Sequence, residues 1–438
     1  MKKISLFLIL ILIFTLCSSI FASAYSLPEE PHSEAVLLVY SDKDTIVYEK
    51  NANKKLFPAS LTKIMTAVIV LEKIKDLDTV KITAKESVLR LLDGTDSSHA
   101  DIVTGETLTM RQLLYCLLVQ SANDAAVIIA DYLGEGDINK FIKMMNDKAK
   151  QLNCTTTNFM NPHGLHDTEH YTTANDMYKI TKYAMTLPAF SEICATTRYT
   201  IPETTKNDER TLVTTNYLLD RVNGGDYYYE YAKGIKTGYT DESGRCLVSN
   251  ATKDGYNYLL ITMGAFDDDD NYSFIDAIDI YEWVFSTLKL KTIIDEKTPT
   301  GEVKVDLSWD KEFVTVIPKQ SFTALIPAQV DATSIIVELT LPDSIPAPVK
   351  AGDKLGTAKL YLADEFLGEI DLIASESIEQ SKILAFLNSL NSIISSSLAK
   401  IFICILIFLI VAYIIFNIII NRSKKKKTYK KVKDFRKF

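Results

Sequence analysis

Phe57-Pro58-Ala59-Ser60-Leu61-Thr62-Lys63 opens a run, continued by IMTAVIVLEK to Lys73, whose reading decides the fold. From Leu61 onward the apolar positions Leu61, Ile64, Met65, Ala67, Val68, Ile69, Val70 and Leu71 leave almost no polar face. Such a segment is a helix buried on all sides, running through a core. A serine at its start is, taken alone, an ordinary helix N-cap. Lys63 changes that reading, because residues three apart share a helix face and the amine then lies beside the Ser60 hydroxyl. A charged amine is costly to bury, so its pKa falls and it becomes able to take the serine's proton. The helix start also offers unpaired backbone N–H groups to a developing oxyanion.

The pattern on either side of this helix gives the architecture. Ala35–Tyr40 and Thr45–Glu49 alternate around a polar turn and form a hairpin. Helical periodicity covers Thr109–Val119, Ala122–Leu133 and Ile138–Gln151. After an Asn-Pro and Gly loop at 154–172, it returns at Thr173–Thr186, with Thr172 or Thr173 as cap and Pro188 beyond the end. Tyr231–Lys236, Cys246–Thr252 and Tyr258–Phe266 read as three consecutive antiparallel strands, and Asn271–Leu288 as a closing helix. Strands at both ends with helices between them predict one α+β unit in which the first hairpin joins the later strands. Residues 291–374 carry short β-type runs and no long helical period, the pattern of a separate, small all-β domain.

Two more triplets stand in strand or helix context. Ser121-Ala122-Asn123 starts a helix, and Lys236-Thr237-Gly238 is expected to end a strand. With Ser60-x-x-Lys63 they make the three signatures, in order, of penicillin-binding proteins and serine β-lactamases. Each residue type fits a task. Ser121 is able to relay a proton between Lys63 and a leaving amine. Asn123 is able to hold a substrate amide, Lys236 and Thr237 an anionic carboxylate, and Gly238 leaves room for a peptide along the strand edge. The backbone N–H groups of Ser60 and Tyr239 would form the oxyanion hole.

PASLTKIMTA (58–67), SANDAA (121–126), NPHGL (161–165), HYTTAND (170–176) and KTGYTD (236–241) resemble the low-molecular-mass D-alanyl-D-alanine carboxypeptidases, the serine peptidases of the penicillin-binding protein 5 type. The resemblance is strong over residues 30 to about 290 and weaker beyond. It implies a β-lactamase/transpeptidase-like catalytic domain and a β domain near the membrane. It also implies removal of the terminal D-Ala from peptidoglycan stem pentapeptides, with β-lactams as covalent inhibitors and no cofactor. A β-lactamase is the nearest alternative. Its class A members place a glutamate after the second motif, where this chain has Cys154-Thr155-Thr156-Thr157. A catalytically weak sensor module is the other, and the 18 residues after the last apolar run are too few for a signalling domain.

The formal net charge of −8 is unevenly spread. Residues 422–437 hold ten Lys/Arg against Asp434, and Lys2 and Lys3 are the sole charges before residue 25. Setting both ends aside leaves 36 basic and 55 acidic residues in 25–421, a body of −19, which argues against nucleic acid as a partner. Lys2 and Lys3, the apolar run Ile4–Ile20 and Ala22-Ser23-Ala24 predict a secretory leader cleaved after Ala24. Ile401–Ile420 is long enough to cross a bilayer, and the basic cluster from Arg422 keeps its end cytoplasmic, with the body outside. The expected organisation is therefore a leader 1–24, a catalytic domain 25–290 and an all-β domain 291–374. An amphipathic linker helix 375–400, a transmembrane helix 401–420 and a basic tail 421–438 follow. His163, His166 and His170 lie in a Pro/Gly loop without helical metal-ligand spacing, and no metal is expected there. Cys116, Cys154, Cys194 and Cys246 match no zinc or disulfide framework.

Overall fold

A computed structural model describes residues 27–266 and 270–434. The predicted leader, 1–24, lies outside the described residues. The chain forms two compact units that divide at Leu288/Lys289.

In the first unit the strands are β1 (Ala35–Tyr40), β2 (Thr45–Lys50), β3 (Lys81–Thr83), β4 (Thr107–Thr109), β5 (Arg198–Ile201), β6 (Arg210–Val213), β7 (Ala232–Thr240), β8 (Gly244–Lys253) and β9 (Tyr256–Ala265). The helices are α1 (Thr62–Lys73), α2 (Glu86–Leu89), α3 (Met110–Leu118), α4 (Asn123–Leu133), α5 (Ile138–Gln151), α6 (Ala174–Met185), α7 (Phe190–Cys194) and α8 (Tyr272–Thr287). The main sheet is antiparallel with order β2-β1-β9-β8-β7. The hairpin thus joins the three later strands as predicted. β1 lies inside the sheet and every one of its six residues is buried, because both sheet faces are covered. α8 packs on β8 and β9, while α6 contacts β1 and β9 and in turn α1. α1 is buried from Thr62 to Val70, wrapped by α3, α4, α5 and α6.

Helix ends follow the local chemistry. Thr109 and Gln112 form a reciprocal capping box on α3. Thr173 caps α6 by accepting from Asp176 N at 3.0 Å. The pairs β3–β4 and β5–β6 were not legible, since strands of three or four residues carry too little alternation. β7 also differs from expectation. It runs on to Thr240, so Lys236-Thr237-Gly238 lies within the strand instead of ending it, and the turn is Asp241–Ser243.

The second unit is all-β up to its C-terminal helices. Its strands are β10 (Leu288–Ile294), β11 (Gly301–Asp306), β12 (Phe313–Pro318), β13 (Phe322–Pro327), β14 (Ile335–Thr340), β15 (Ser344–Pro346), β16 (Lys354–Leu362) and β17 (Glu365–Ala374). Six form one sheet, β14-β16-β17-β12-β11-β15, while β10 pairs with β13. Alternating residues such as Val303, Val305, Val314, Val316, Leu360 and Leu372 are buried. α9 (Lys382–Ser395) then exposes Ile383, Phe386, Leu387 and Ile394, and α10 (Ser397–Asp434) carries the predicted apolar run. Ser397–Lys424, 28 residues, is long and apolar enough to cross a membrane, and none of its most apolar window is buried against protein.

The first unit closes through Asp276 of α8. Its buried carboxylate accepts from His32 N at 2.9 Å, Ser33 N at 2.7 Å and Ser33 Oγ at 2.5 Å, tying the segment before β1 to the helix. Asp276→Ala strands these donors without a partner and is expected to lower the stability of this unit by about 3 kcal/mol, readable as an earlier urea transition in circular dichroism.

Candidate active site

Ala59–Leu61 forms a single 3₁₀ turn ahead of α1, and Ala59 has φ of +47°. This turn sets Ser60 at the wall of a cavity of about 590 Å³ in the first unit. The cavity is also lined by Ser121, Thr215, Thr237, Tyr239 and Arg245. Lys63 Nζ lies 2.7 Å from Ser60 Oγ and 2.8 Å from the carbonyl oxygen of His163, with the lysine completely buried. A neutral amine satisfies both contacts, donating to the carbonyl while its lone pair faces the hydroxyl proton. Burial pulls the Lys63 pKa well below the ordinary lysine value, and the Lys236 charge pushes the same way, while Asp124 opposes them.

The histidine loop is the back wall of this arrangement. Asn161 Oδ1 accepts from Gly164 N at 2.6 Å, and Asn161 Nδ2 donates to Leu165 O at 2.8 Å. Thr66 Oγ1 donates to Pro162 O at 2.6 Å, pinning the loop to α1. His170 Nδ1 accepts from Met160 N at 3.2 Å, which leaves Nε2–H to donate to Thr62 Oγ1 at 2.8 Å. Burial lowers the pKa of His170 to about 4 and that of His163 to about 3, so both rings are neutral parts of the scaffold. Gly164 has φ of +96°, and a side chain there would collide with the Ala59 carbonyl. The loop therefore presses directly on the turn that carries Ser60.

The second triplet is set by backbone strain and a buried carboxylate. Ser121 has φ of +62°, outside the start of α4 at Asn123. Ser121 is buried but lines the cavity, and no side-chain hydrogen bond joins it to Lys63 or Lys236 among the described residues. Asn123 donates its backbone N–H to Ser98 O at 2.8 Å, and its buried Oδ1 has no hydrogen-bond partner. Asp124 accepts from Ala100 N at 3.0 Å, Ile102 N at 3.1 Å and Ala125 N at 2.8 Å, fixing the 98–102 loop against α4. Burial raises the Asp124 pKa against those N–H bonds.

β7 supplies the third triplet as the edge strand beside the nucleophile turn. Gly238 points inward: a Cβ would stand 3.0 Å from Pro58 O and 3.1 Å from Ser60 N. Its missing side chain lets the strand approach Ser60, which differs from the expected role of leaving room for a peptide. Lys236 also differs from expectation. It is buried, and its Nζ donates to Thr237 O at 2.9 Å. Burial pulls its pKa down to about 7. Thr237 Oγ1 stays on the wall, 2.5 Å from Thr215 Oγ1. Thr215, Arg245 and the His163 carbonyl are site groups that sequence spacing did not single out. Cys116, Cys154, Cys194 and Cys246 are free, buried thiols whose pKa values burial raises.

Fold and site together define a serine peptidase whose nucleophile stands beside a buried lysine. Residues 22–267 match the family of D-alanyl-D-alanine carboxypeptidases, peptidase family S11, and residues 289–380 match the C-terminal domain of penicillin-binding protein 5. The chain belongs to the D-alanyl-D-alanine carboxypeptidase family. It is 28% identical over 389 residues to the D-alanyl-D-alanine carboxypeptidase DacF of Bacillus subtilis, covering 88% of this chain and 97% of that one. It is 34% identical over 221 residues to a D-alanyl-D-alanine carboxypeptidase of Streptomyces sp. strain K15, covering 48% of this chain and 73% of that one. In fold it is similar to penicillin-binding protein 5 from Haemophilus influenzae (TM-score 0.60, 23% identity, 81% of this chain and 100% of that one). The Streptomyces K15 DD-transpeptidase is also similar (TM-score 0.54, 29% identity, 59% of this chain and 98% of that one).

The electrostatics predict a pH signature. With the neutral form of Lys63 as the base, the rate of covalent labelling by a fluorescent penicillin is expected to rise with pH through the Lys63 pKa, along a limb well below the ordinary lysine range. Lys236→Met removes a neighbouring positive charge and is expected to move that limb toward higher pH. A wild-type limb at the ordinary lysine value, or a shift in the opposite direction, would contradict this assignment.

Proposed function

We propose that this protein is a membrane-anchored serine D-alanyl-D-alanine carboxypeptidase that removes the terminal D-Ala of peptidoglycan stem pentapeptides through an acyl-Ser60 intermediate. The observation that carries the reading is the Lys63 amine, buried and 2.7 Å from Ser60 Oγ. Lys63 takes the hydroxyl proton as Ser60 Oγ attacks the carbonyl carbon of the penultimate D-Ala. The N–H groups of Ser60 and Tyr239 hold the oxyanion, a role supported by the packing of Gly238 against Ser60 N. The proton passes by way of Ser121 to the nitrogen of the leaving D-Ala. Water then hydrolyses the ester and returns Ser60. The unpartnered Oδ1 of Asn123 is placed to accept from a substrate amide N–H.

In this reading Thr237 binds the substrate from the wall, while Gly238 brings the strand beside the nucleophile. Lys236 acts through the field it places on Lys63, disfavouring the protonated amine. β-Lactams acylate the same serine. Ser60→Ala is expected to abolish both penicillin labelling and D-Ala release from a pentapeptide ending in D-Ala-D-Ala, followed by mass spectrometry. Retention of either would refute the assignment.

The apolar helix in α10 and the basic residues from Arg422 support a single-pass anchor that embeds in membrane lipid, with the body outside the cell and the tail in the cytoplasm. Protease added to intact protoplasts should digest the body and spare an epitope tag placed after Phe438. Loss of the tag would reverse the topology.

A further inference from the structure

Trp309, in the loop between β11 and β12, is 76% exposed, more than any other large apolar side chain of the β domain among the described residues. A single exposed indole is ordinary on a protein surface. Its place in the fold is what matters. The loop is fastened to the segment that leads into α9. Lys311 pairs with the Glu376 carboxylate, and Ser381, the N-cap of α9, donates its N–H to Leu307 O at 2.8 Å. That segment is itself fixed on the domain. Ile378 N donates to Val349 O at 2.8 Å, Val349 N to Ile378 O at 2.9 Å, and Gln380 Nε2 to Ala347 O at 2.7 Å. Leu307 holds φ of +63°, so the loop keeps its shape against the local preference of an L residue. The start of α9 and the indole loop therefore belong to one tied foot of the β domain.

α9 runs from that foot to the apolar span. Ile383, Phe386, Leu387, Leu390 and Ile394, at i, i+3, i+4, i+7 and i+11, leave one apolar stripe exposed. The helix has 14 residues, a length of about 21 Å, and stops at Ser396, whose ψ of 146° separates it from α10. A helix that meets a span through such a break and carries an open apolar stripe is suited to lie in the interfacial plane. Its first turn then stands at the same level, and with it the Leu307 carbonyl and Trp309. We infer that the Trp309 loop is a further lipid contact, by which the β domain sets its foot in the headgroup layer of the leaflet facing the body. This inference rests on the membrane-anchor reading above. An indole suits that layer, because its apolar body packs among the upper acyl segments while its N–H meets headgroups or water. Asp310 beside it limits the depth, since a carboxylate carried past the headgroups is costly. The β domain is thereby seated on the bilayer and does not swing from α10 alone.

The chain has two tryptophans, and the other, Trp283, is 6% exposed in the first unit. The emission of the full-length protein minus that of Trp309→Phe therefore reports Trp309, and Trp283→Phe isolates the same signal should the first variant not fold. The proteins are reconstituted into phosphatidylcholine vesicles with and without bromine on the acyl chains just below the headgroups. The bromolipid is expected to quench the Trp309 component and to leave the Trp309→Phe protein unchanged. The Trp309 component should also be blue-shifted from that of an indole in water and shielded from acrylamide. A protein that floats with the vesicles while its Trp309 component ignores the bromolipid and stays open to acrylamide would overturn the inference. So would quenching that persists undiminished in Trp309→Phe. Shielding from acrylamide without quenching by bromine would give the surface to a protein contact, and overturns it equally. A protein that does not float with vesicles overturns the membrane-anchor reading, and this inference with it.

Discussion

Everything at this site depends on holding one amine out of water. Lys63 is buried on a helix with no polar face, and its Nζ meets the Ser60 hydroxyl and the His163 carbonyl. Desolvation favours the neutral amine, which is the form a serine needs as its base. The cost of burying a lysine has to be met by the surrounding fold, and this explains why α1 is wrapped by four helices. The Asn161–Leu165 loop has the same purpose. Its internal hydrogen bonds hold one carbonyl at the amine, so that deprotonation leaves the group partnered and not stranded.

Close backbone approach is the second constraint. The turn at Ala59–Ser60 is gripped from two sides, by the loop at Gly164 and by β7 at Gly238. A methyl group at Gly164 would collide with the Ala59 carbonyl, and one at Gly238 would press on Pro58 O at 3.0 Å and Ser60 N at 3.1 Å. Ala59, at φ +47°, carries local backbone strain within this packed turn. The consequence is positional: Ser60 N–H and the edge of β7 share one wall of the cavity, as transition-state stabilisation by backbone donors requires.

These constraints also explain which parts could be read from the sequence. The contact of Lys63 with Ser60 and the places of Ser121, Thr237 and Gly238 at the cavity are legible because each is set by spacing along one helix, turn or strand. The same local logic yields the hairpin, α1, α5 and the membrane-length run. What escaped is non-local. The direction in which Lys236 points depends on β7 continuing past Gly238, and the true turn lies in the Asp241–Ser243 stretch. The His163 carbonyl acts through its backbone, so its side chain gives no hint of the role. Arg245 reads as an ordinary polar position in an alternating strand until register places it opposite Tyr239. Thr215 becomes a site residue only when it meets Thr237.

The site holds a buried amine, Lys63, beside a cavity whose wall carries Arg245, inside a body whose net charge is −19 over residues 25–421. That long-range repulsion of an anionic substrate is screened beyond about 8 Å at physiological salt, so recognition falls to the groups on the wall. Burial lowers both lysines together, Lys63 well below its ordinary value and Lys236 to about 7. A guanidinium keeps its proton under desolvation, because its affinity for the proton is far higher than an amine's. The division of labour follows from that difference. Burial favours the neutral form of Lys63, while the Arg245 guanidinium keeps its charge on the cavity wall.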